Sequence, residues 1–219
     1  MKEYIIKMSP KELFKELVKL YRNARNPSFY HPSIKRGRSH TIASKVEDLF
    51  AFFLSLNLTK DYQFLVDQPL NKGKKQFYPD ISIIDNGTLV HAFDIKTDLG
   101  WKRNEFSNFC RDKNNEIKDF FDSELSATDG ISKEKFIVKT AREFHYHIVI
   151  LSGKNIRQEK LREHLENIDK LKYIHAYVLF PNEHPNYYGE DIGQFINSVT
   201  INEEDFRKIE KALTRKVRL

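Results

Sequence analysis

Tyr78-Pro79-Asp80-Ile81-Ser82-Ile83-Ile84-Asp85-Asn86-Gly87-Thr88-Leu89-Val90-His91-Ala92-Phe93-Asp94-Ile95-Lys96 reads as two apolar strands folded back on each other at Asp85-Asn86-Gly87. An Asn-Gly pair between β-branched and aromatic runs is the strongest short-range hairpin signal, because both residues tolerate the left-handed backbone that tight turns need. Turning there brings the start of one strand beside the end of the other, so Asp80 and Asp94 become neighbours. Alternation then puts Lys96 on the Asp94 face and Ile95 on the opposite one. The flanks Ile81, Ile83, Phe93 and Ile95 are too apolar for a surface ribbon, so the acids belong to a hairpin inside the fold.

Turn length decides whether the acids meet. A two-residue turn at Asn86-Gly87 would set Asp85 opposite Thr88 and Pro79 opposite Asp94, leaving Asp80 and Asp94 on opposite faces. A three-residue loop with Gly87 left-handed in a bulge restores them to one face. The expectation is that loop, or a bulge elsewhere in the hairpin.

Around this hairpin the chain alternates helix and strand signals. Ser9, Pro10 and Glu12 mark a capped helix start, followed by Leu13, Leu17, Leu20 and Tyr21 at helical spacing. Asn26-Pro27 and His31-Pro32 break the chain, and an irregular basic segment runs to about Ser39. A second helix is expected from about Thr41, with Ile42, Val46, Leu49, Phe50 and Phe53 on one stripe. Strands are expected at 62–66, 81–84, 89–95, 146–151 and 174–180. Helical patterns cover much of 102–124, then 156–171 and 203–213, while 126–132 reads as a loop. The stretch from Phe136 to Phe144 fits helix or strand equally. Three strands in succession predict an antiparallel meander, and strands separated by a helix predict a parallel crossover. The fold class is therefore α/β, a mixed five-stranded sheet flanked by helices. One domain is expected, with a helical and basic addition at 1–40, a core at 41–180 and a helical addition at 181–219.

With 219 residues, 40% of them hydrophobic and 31% charged, the chain has the composition of a packed domain rather than a disordered one. No apolar run reaches the roughly 20 residues of a membrane span, and the opening Met1-Lys2-Glu3-Tyr4 lacks the apolar stretch of a secretory signal, so a cytoplasmic location is expected. The single cysteine, Cys110, rules out an internal disulfide and a multi-cysteine zinc site, and is expected to be a packing residue. The net charge is +6, and its distribution is uneven. No acid lies between Glu16 and Glu47, whereas Lys19, Arg22, Arg25, Lys35, Arg36, Arg38 and Lys45 do. A second cluster, Lys208, Lys211, Arg215, Lys216 and Arg218, closes the chain. Clustered cations favour a polyanion through counterion release, so nucleic acid is the first partner to consider. Lys35, Arg36, Arg38, Lys45, Lys102 and Arg103 are the expected contacts.

Two acids on one face at the end of a sheet repel each other and call for a cation. A hard divalent ion such as magnesium meets that need with oxygen ligands, the Ile95 carbonyl supplying one more, and manganese is expected to substitute. Such an ion polarises a phosphate and lowers the pKa of bound water, while Lys96 neutralises charge developing on phosphorus. Phosphodiester hydrolysis is the reaction these groups suit. His145 and His147 share a strand face, but no third ligand stands near them in sequence.

Pro79-Asp80 and Asp94-Ile95-Lys96 together resemble the PD-(D/E)XK nuclease superfamily. Its restriction-endonuclease-like core runs helix, three strands, helix, strand, the order expected here from the second helix onward. The resemblance covers about residues 41 to 151. It implies metal binding by Asp80 and Asp94 and a catalytic role for Lys96. Glu47, bordering the apolar stripe of its helix, looks like the acid that many members carry there; the alternative is a capping box with Ser44. A site-specific DNA endonuclease of the type II restriction kind, acting on duplex DNA as a homodimer without a nucleotide cofactor, is the leading expectation. A repair, recombination or defence nuclease recognising structured, single-stranded or modified nucleic acid comes second. An inactive DNA-binding module with this fold is the alternative from another class.

Overall fold

In the computed structural model, which describes residues 7–26, 33 and 40–214, helices cover both faces of one mixed sheet of eight strands. The first helix, α1 (Pro10–Arg25), starts with the expected capping box. Glu12 N–H donates to Ser9 Oγ, and Ser9 N–H to the Glu12 carboxylate. Its apolar stripe of Leu13, Phe14, Leu17 and Val18 is buried against α2 (Ala43–Asn57) and the sheet. Ser44 lies inside α2, whose N-cap is Ile42 with no side-chain cap, so Glu47 does not close a capping box.

Strands β1 (Gln63–Val66), β4 (Ile81–Asp85) and β5 (Thr88–Lys96) form the expected antiparallel meander. A hairpin of β2 (Leu70–Lys72) and β3 (Lys75–Phe77) is inserted between β1 and β4. After α3 (Phe106–Glu116), β6 (Glu124–Thr128) leads into β7 (Lys135–Ser152). Then α4 (Gln158–Ile168) crosses over to β8 (Ile174–Phe180), and α5 (Ile192–Asn197) and α6 (Glu203–Thr214) follow. The order across the sheet is β1-β4-β5-β7-β6-β2-β3, with β8 also on β7. β5 and β8 are both parallel to β7.

The expected count of five strands is corrected to eight. β2, β3 and β6 are only 3, 3 and 5 residues long, and the first two are broken by Gly73 and three lysines, so they carry little apolar alternation. β6 and residues 135–139 form one antiparallel ribbon, running from Glu124↔Lys139 to Thr128↔Lys135, so the ambiguous stretch is strand and residues 126–128 are strand rather than the expected loop. β7 then bends, because two steps along β5, from Leu89 to His91, match five along β7, from Thr140 to His145. Beyond the bend it exchanges β6 for β8 on the same edge. No helix among the described residues is long and apolar enough to cross a membrane.

The turn also differs from the three-residue loop. Asp85 pairs directly with Thr88, and Asn86 (φ 48°) and Gly87 (φ 78°) are both left-handed, a two-residue turn. The compensating irregularity falls farther up the hairpin. Ile83 pairs with His91 but Ile84 with Leu89, leaving Val90 as the extra residue. From there the register runs Ile81↔Phe93, and the next step sets Asp80 across from Asp94.

The two faces bury separate apolar clusters. Ile81, Ile83, Val90, Phe93 and Ile95 point toward α1, α2 and α6. Ala92, Tyr146, Ile148 and Ile150 point toward α3 and α4. Cys110 is fully buried in the second cluster, and burial pushes its thiol up to about 12, as suits a packing residue. Embedded in the first face are four histidines in two pairs. His91 Nδ1 lies 3.0 Å from His147 Nε2, and His145 Nδ1 2.9 Å from His175 Nε2. His147 Nδ1 continues to the Tyr177 hydroxyl at 3.1 Å, while His91 Nε2 is buried without a partner among the described residues. Burial, followed by the neighbouring histidines, lowers His91 to about 3 and holds His147 well below the usual imidazole range. Unfolded, these rings take up protons near 6.5; folded, they do not. Stability is therefore full above about pH 6.5 and drains as the pH falls. His91 alone should cost about 2 kcal/mol between pH 7.5 and pH 5. Urea midpoints at those two pH values should show that loss, and His91→Leu should lessen it.

Candidate active site

Asp80, Asp94 and Lys96 converge at the end of the β4–β5 hairpin, on the face that α3 covers. Lys96 Nζ stands 3.2 Å from Asp94 Oδ2 and 4.0 Å from Asp80 Oδ2. Each acid is fixed by a second bond. The Ile95 N–H donates to Asp80 Oδ2 at 2.5 Å, so the residue between the two pattern positions is itself part of the site. The Tyr146 hydroxyl donates to Asp94 Oδ1 at 2.7 Å from β7, where burial followed by the Asp94 charge pushes the phenol well above its usual range. Asp67, left-handed at φ 51°, donates its N–H to the Asp80 carbonyl and accepts the Tyr78 hydroxyl at 2.6 Å. Asp94 is 8% exposed, which leaves its charge little solvent to draw on.

The electrostatics show a site short of positive charge. Burial and then Asp94 raise Asp80 above the usual carboxylate range, with Lys96 opposing. Glu47, half-buried on α2, is raised to about 7 by burial and then by Asp80 and Asp67. The family resemblance placed Glu47 with the hairpin acids, and its carboxylate does feel the charge of Asp80. Among the described residues no group of three or more His, Cys, Asp or Glu is arranged to hold a metal ion. Lys96 instead bridges the two aspartates. Lys96 is the cation that opposes the rise at both Asp80 and Glu47, and the side chains around it offer carboxylate oxygens, the donor type that a hard cation takes.

Of the expected nucleic-acid contacts, Lys45 is exposed on the first turn of α2, and Arg103 is exposed with its guanidinium 3.4 Å from the Asn155 carbonyl. Lys35, Arg36 and Arg38 lie outside the described residues, as does the side chain of Lys102. Sequence reasoning missed Tyr146, Asp67 and His184. Tyr146 alternates with His145 and His147, so its opposite face was legible, but its reach to Asp94 depends on the β5–β7 register. His184 Nε2 lies 3.4 Å from Asp98 Oδ2, two residues beyond Lys96; that bond, with Gly100 N–H, holds Asp98 below the usual carboxylate range. No protein-family model matches this chain, and neither curated proteins nor solved structures yielded a match.

Because Glu47 titrates near 7 folded and near 4.5 unfolded, its contribution to stability is full below about pH 4.5 and is lost as the pH rises through 7. Glu47→Gln should therefore raise the thermal midpoint at pH 8 and leave it unchanged at pH 4.5. Screening by solvent limits the gain to about 1 kcal/mol. Without metal, Tyr146→Phe should cost about 1–3 kcal/mol in denaturant unfolding, since Asp94 loses a buried charge-assisted donor.

Proposed function

We propose that this chain is a metal-dependent nuclease that hydrolyses phosphodiester bonds in DNA. The observation that carries the reading is the excess of carboxylate at one sheet end, where Asp80 and Asp94 share a single ammonium, Lys96, and Glu47 is pushed to about 7. Asp80, Asp94, Glu47 and the Ile95 carbonyl are the proposed holders of magnesium, with manganese as substitute. When bound, such an ion polarises the phosphate and supplies a water of lowered pKa. The chain's own groups do the rest. Tyr146 and the Ile95 N–H orient the two acids, and the Lys96 ammonium stands ready to stabilise charge on the non-bridging phosphate oxygens. The order α2, β1–β4–β5, α3, β7, with β5 and β7 parallel, is compatible with a PD-(D/E)XK core, which supports the restriction-endonuclease-like reading.

Cleavage of duplex DNA at a specific site by a homodimer is the first form of this proposal, since two antiparallel strands ask for two sites. A nuclease for structured or single-stranded DNA is the second, favoured by the exposed aromatic Tyr187 near Asp98.

Plasmid incubated with magnesium should be cut, to discrete fragments if the enzyme is site-specific and to a smear if it is not. Asp94→Asn and Lys96→Ala should each lower the rate at least about 100-fold while leaving DNA binding in place. Magnesium should also raise the thermal midpoint of the wild-type protein and not that of Asp80→Asn. A wild-type protein that cuts no nucleic acid with either metal and shows no thermal shift would reject the enzyme in favour of the inactive DNA-binding module.

A further inference from the structure

We infer that Tyr187 is a stacking platform for an unpaired nucleobase of the substrate, beside the scissile phosphate. The inference rests on the nuclease reading and adds to it the substrate class, a strand with at least one base out of the duplex stack.

Tyr187 is 57% exposed, yet it is held on several sides. Its N–H donates to the His184 carbonyl at 2.8 Å, and its ring lies against the His184 imidazole with centroids 4.9 Å apart and planes 31° apart. His184 is buried and fixed in turn: Nε2 faces Asp98, Nδ1 accepts the Asn186 N–H at 3.1 Å, and Tyr21 packs edge-on at 5.4 Å. The Arg25 guanidinium bonds the Asn186 carbonyl and side chain at 2.8 and 2.9 Å and lies over the Tyr188 ring at 4.6 Å. An exposed aromatic on a loosely held loop would be an ordinary surface residue. One whose support is tied to the end of the catalytic strand is preorganised, so little ordering entropy is lost when a flat ligand settles on it.

Position and charge identify the ligand. Asp98 is two residues past Lys96, no more than about 7 Å of extended chain, and the platform is linked to it through His184, whose Nε2 lies 3.4 Å from Asp98 and whose ring lies 4.9 Å from that of Tyr187. Three exposed cations are attached to it or to residues beside its contacts. Lys154 Nζ lies 5.3 Å from the Tyr187 ring centroid, Arg25 is fixed to Asn186, and Arg103 reaches Asn155, the residue next to Lys154. An aromatic ring among cations is the arrangement by which single-stranded nucleic acid is bound, the ring taking the base and the cations its phosphates. Lys154 covers the ring through a weak exposed cation–π contact, which a stacked base outcompetes, freeing the ammonium for phosphate. Paired bases inside a duplex present no face to such a platform, so the base must be unpaired, at an end, a gap or a flipped position.

The test uses the full-length wild-type protein in EDTA, which prevents cutting, with single-stranded decanucleotides carrying 2-aminopurine at successive positions. Quenching should appear at one position, adjacent to the bond cut when magnesium is restored. Tyr187→Phe should keep both quenching and affinity. Tyr187→Leu, which keeps an apolar side chain but no ring, should lose the quenching and weaken binding roughly 5- to 100-fold. Thermal midpoints of the variants show whether the loop still folds, and the Phe variant controls for the lost hydroxyl. If Tyr187→Leu binds and quenches like wild type in a protein that still cuts DNA, the platform is overturned and the nuclease reading survives. If wild type neither binds these oligonucleotides nor cuts any DNA, both fail.

Discussion

The arrangement of the site depends on one extra residue in a hairpin. Because side chains alternate along a strand, a clean two-residue turn at Asn86-Gly87 would send Asp80 and Asp94 to opposite layers. Val90, unpaired against β4, shifts the count by one and puts both carboxylates on the α3 face. The bond from Ile95 N–H to Asp80 then ties the two strands together at the end where the acids meet. Val90 is itself buried in the apolar cluster with Ile81, Ile83 and Phe93, so packing holds the bulge in place. The position of two charged groups is thus set by how an aliphatic side chain is buried some distance away.

β7 serves both faces of the sheet at adjacent residues. Tyr146 faces the α3 side and donates to Asp94, while His147 faces the α2 side and joins His91 and Tyr177. Its parallel register with β5 decides both contacts at once, since Ala92 pairs with Tyr146 and Phe93 with His147. A slip of one residue would turn the phenol away from Asp94 and put an imidazole next to it. The antiparallel half with β6 precedes the bend at 141–144, where Phe144 packs on Phe77 and Phe121.

Charge at this sheet end is out of balance by design of the backbone. Two aspartates are brought together by the hairpin, Asp67 is added by the loop that leads to β2, and Glu47 comes from a helix on the other layer. Among the described residues Lys96 is the cation paired with the two aspartates, and burial with their mutual repulsion raises Asp80 and Glu47 above the usual carboxylate range. Folded proteins rarely leave acids so placed without a cation or substrate to share them. Lys154, Arg25 and Arg103 lie against aromatic rings and carbonyl oxygens.

Local chemistry made much of this legible in the sequence. Ser9, Pro10 and Glu12 set the start of α1, Asn86-Gly87 set the turn, and apolar runs marked Ile174–Phe180 and the β4–β5 pair, because caps, left-handed turns and burial patterns are short-range. Asp80 and Asp94 could be grouped from the hairpin turn and Lys96 from alternation, while Glu47 was joined to them only by the family resemblance. What only the tertiary structure decided were quantities that depend on register between distant segments. These are the bulge at Val90 rather than at Gly87, the short strands β2, β3 and β6, Tyr146 on Asp94, and the Asp98–His184–Tyr187 support. A strand of three residues or a single hydrogen bond across 52 positions leaves no periodic trace, because its stability comes from partners that the chain supplies elsewhere.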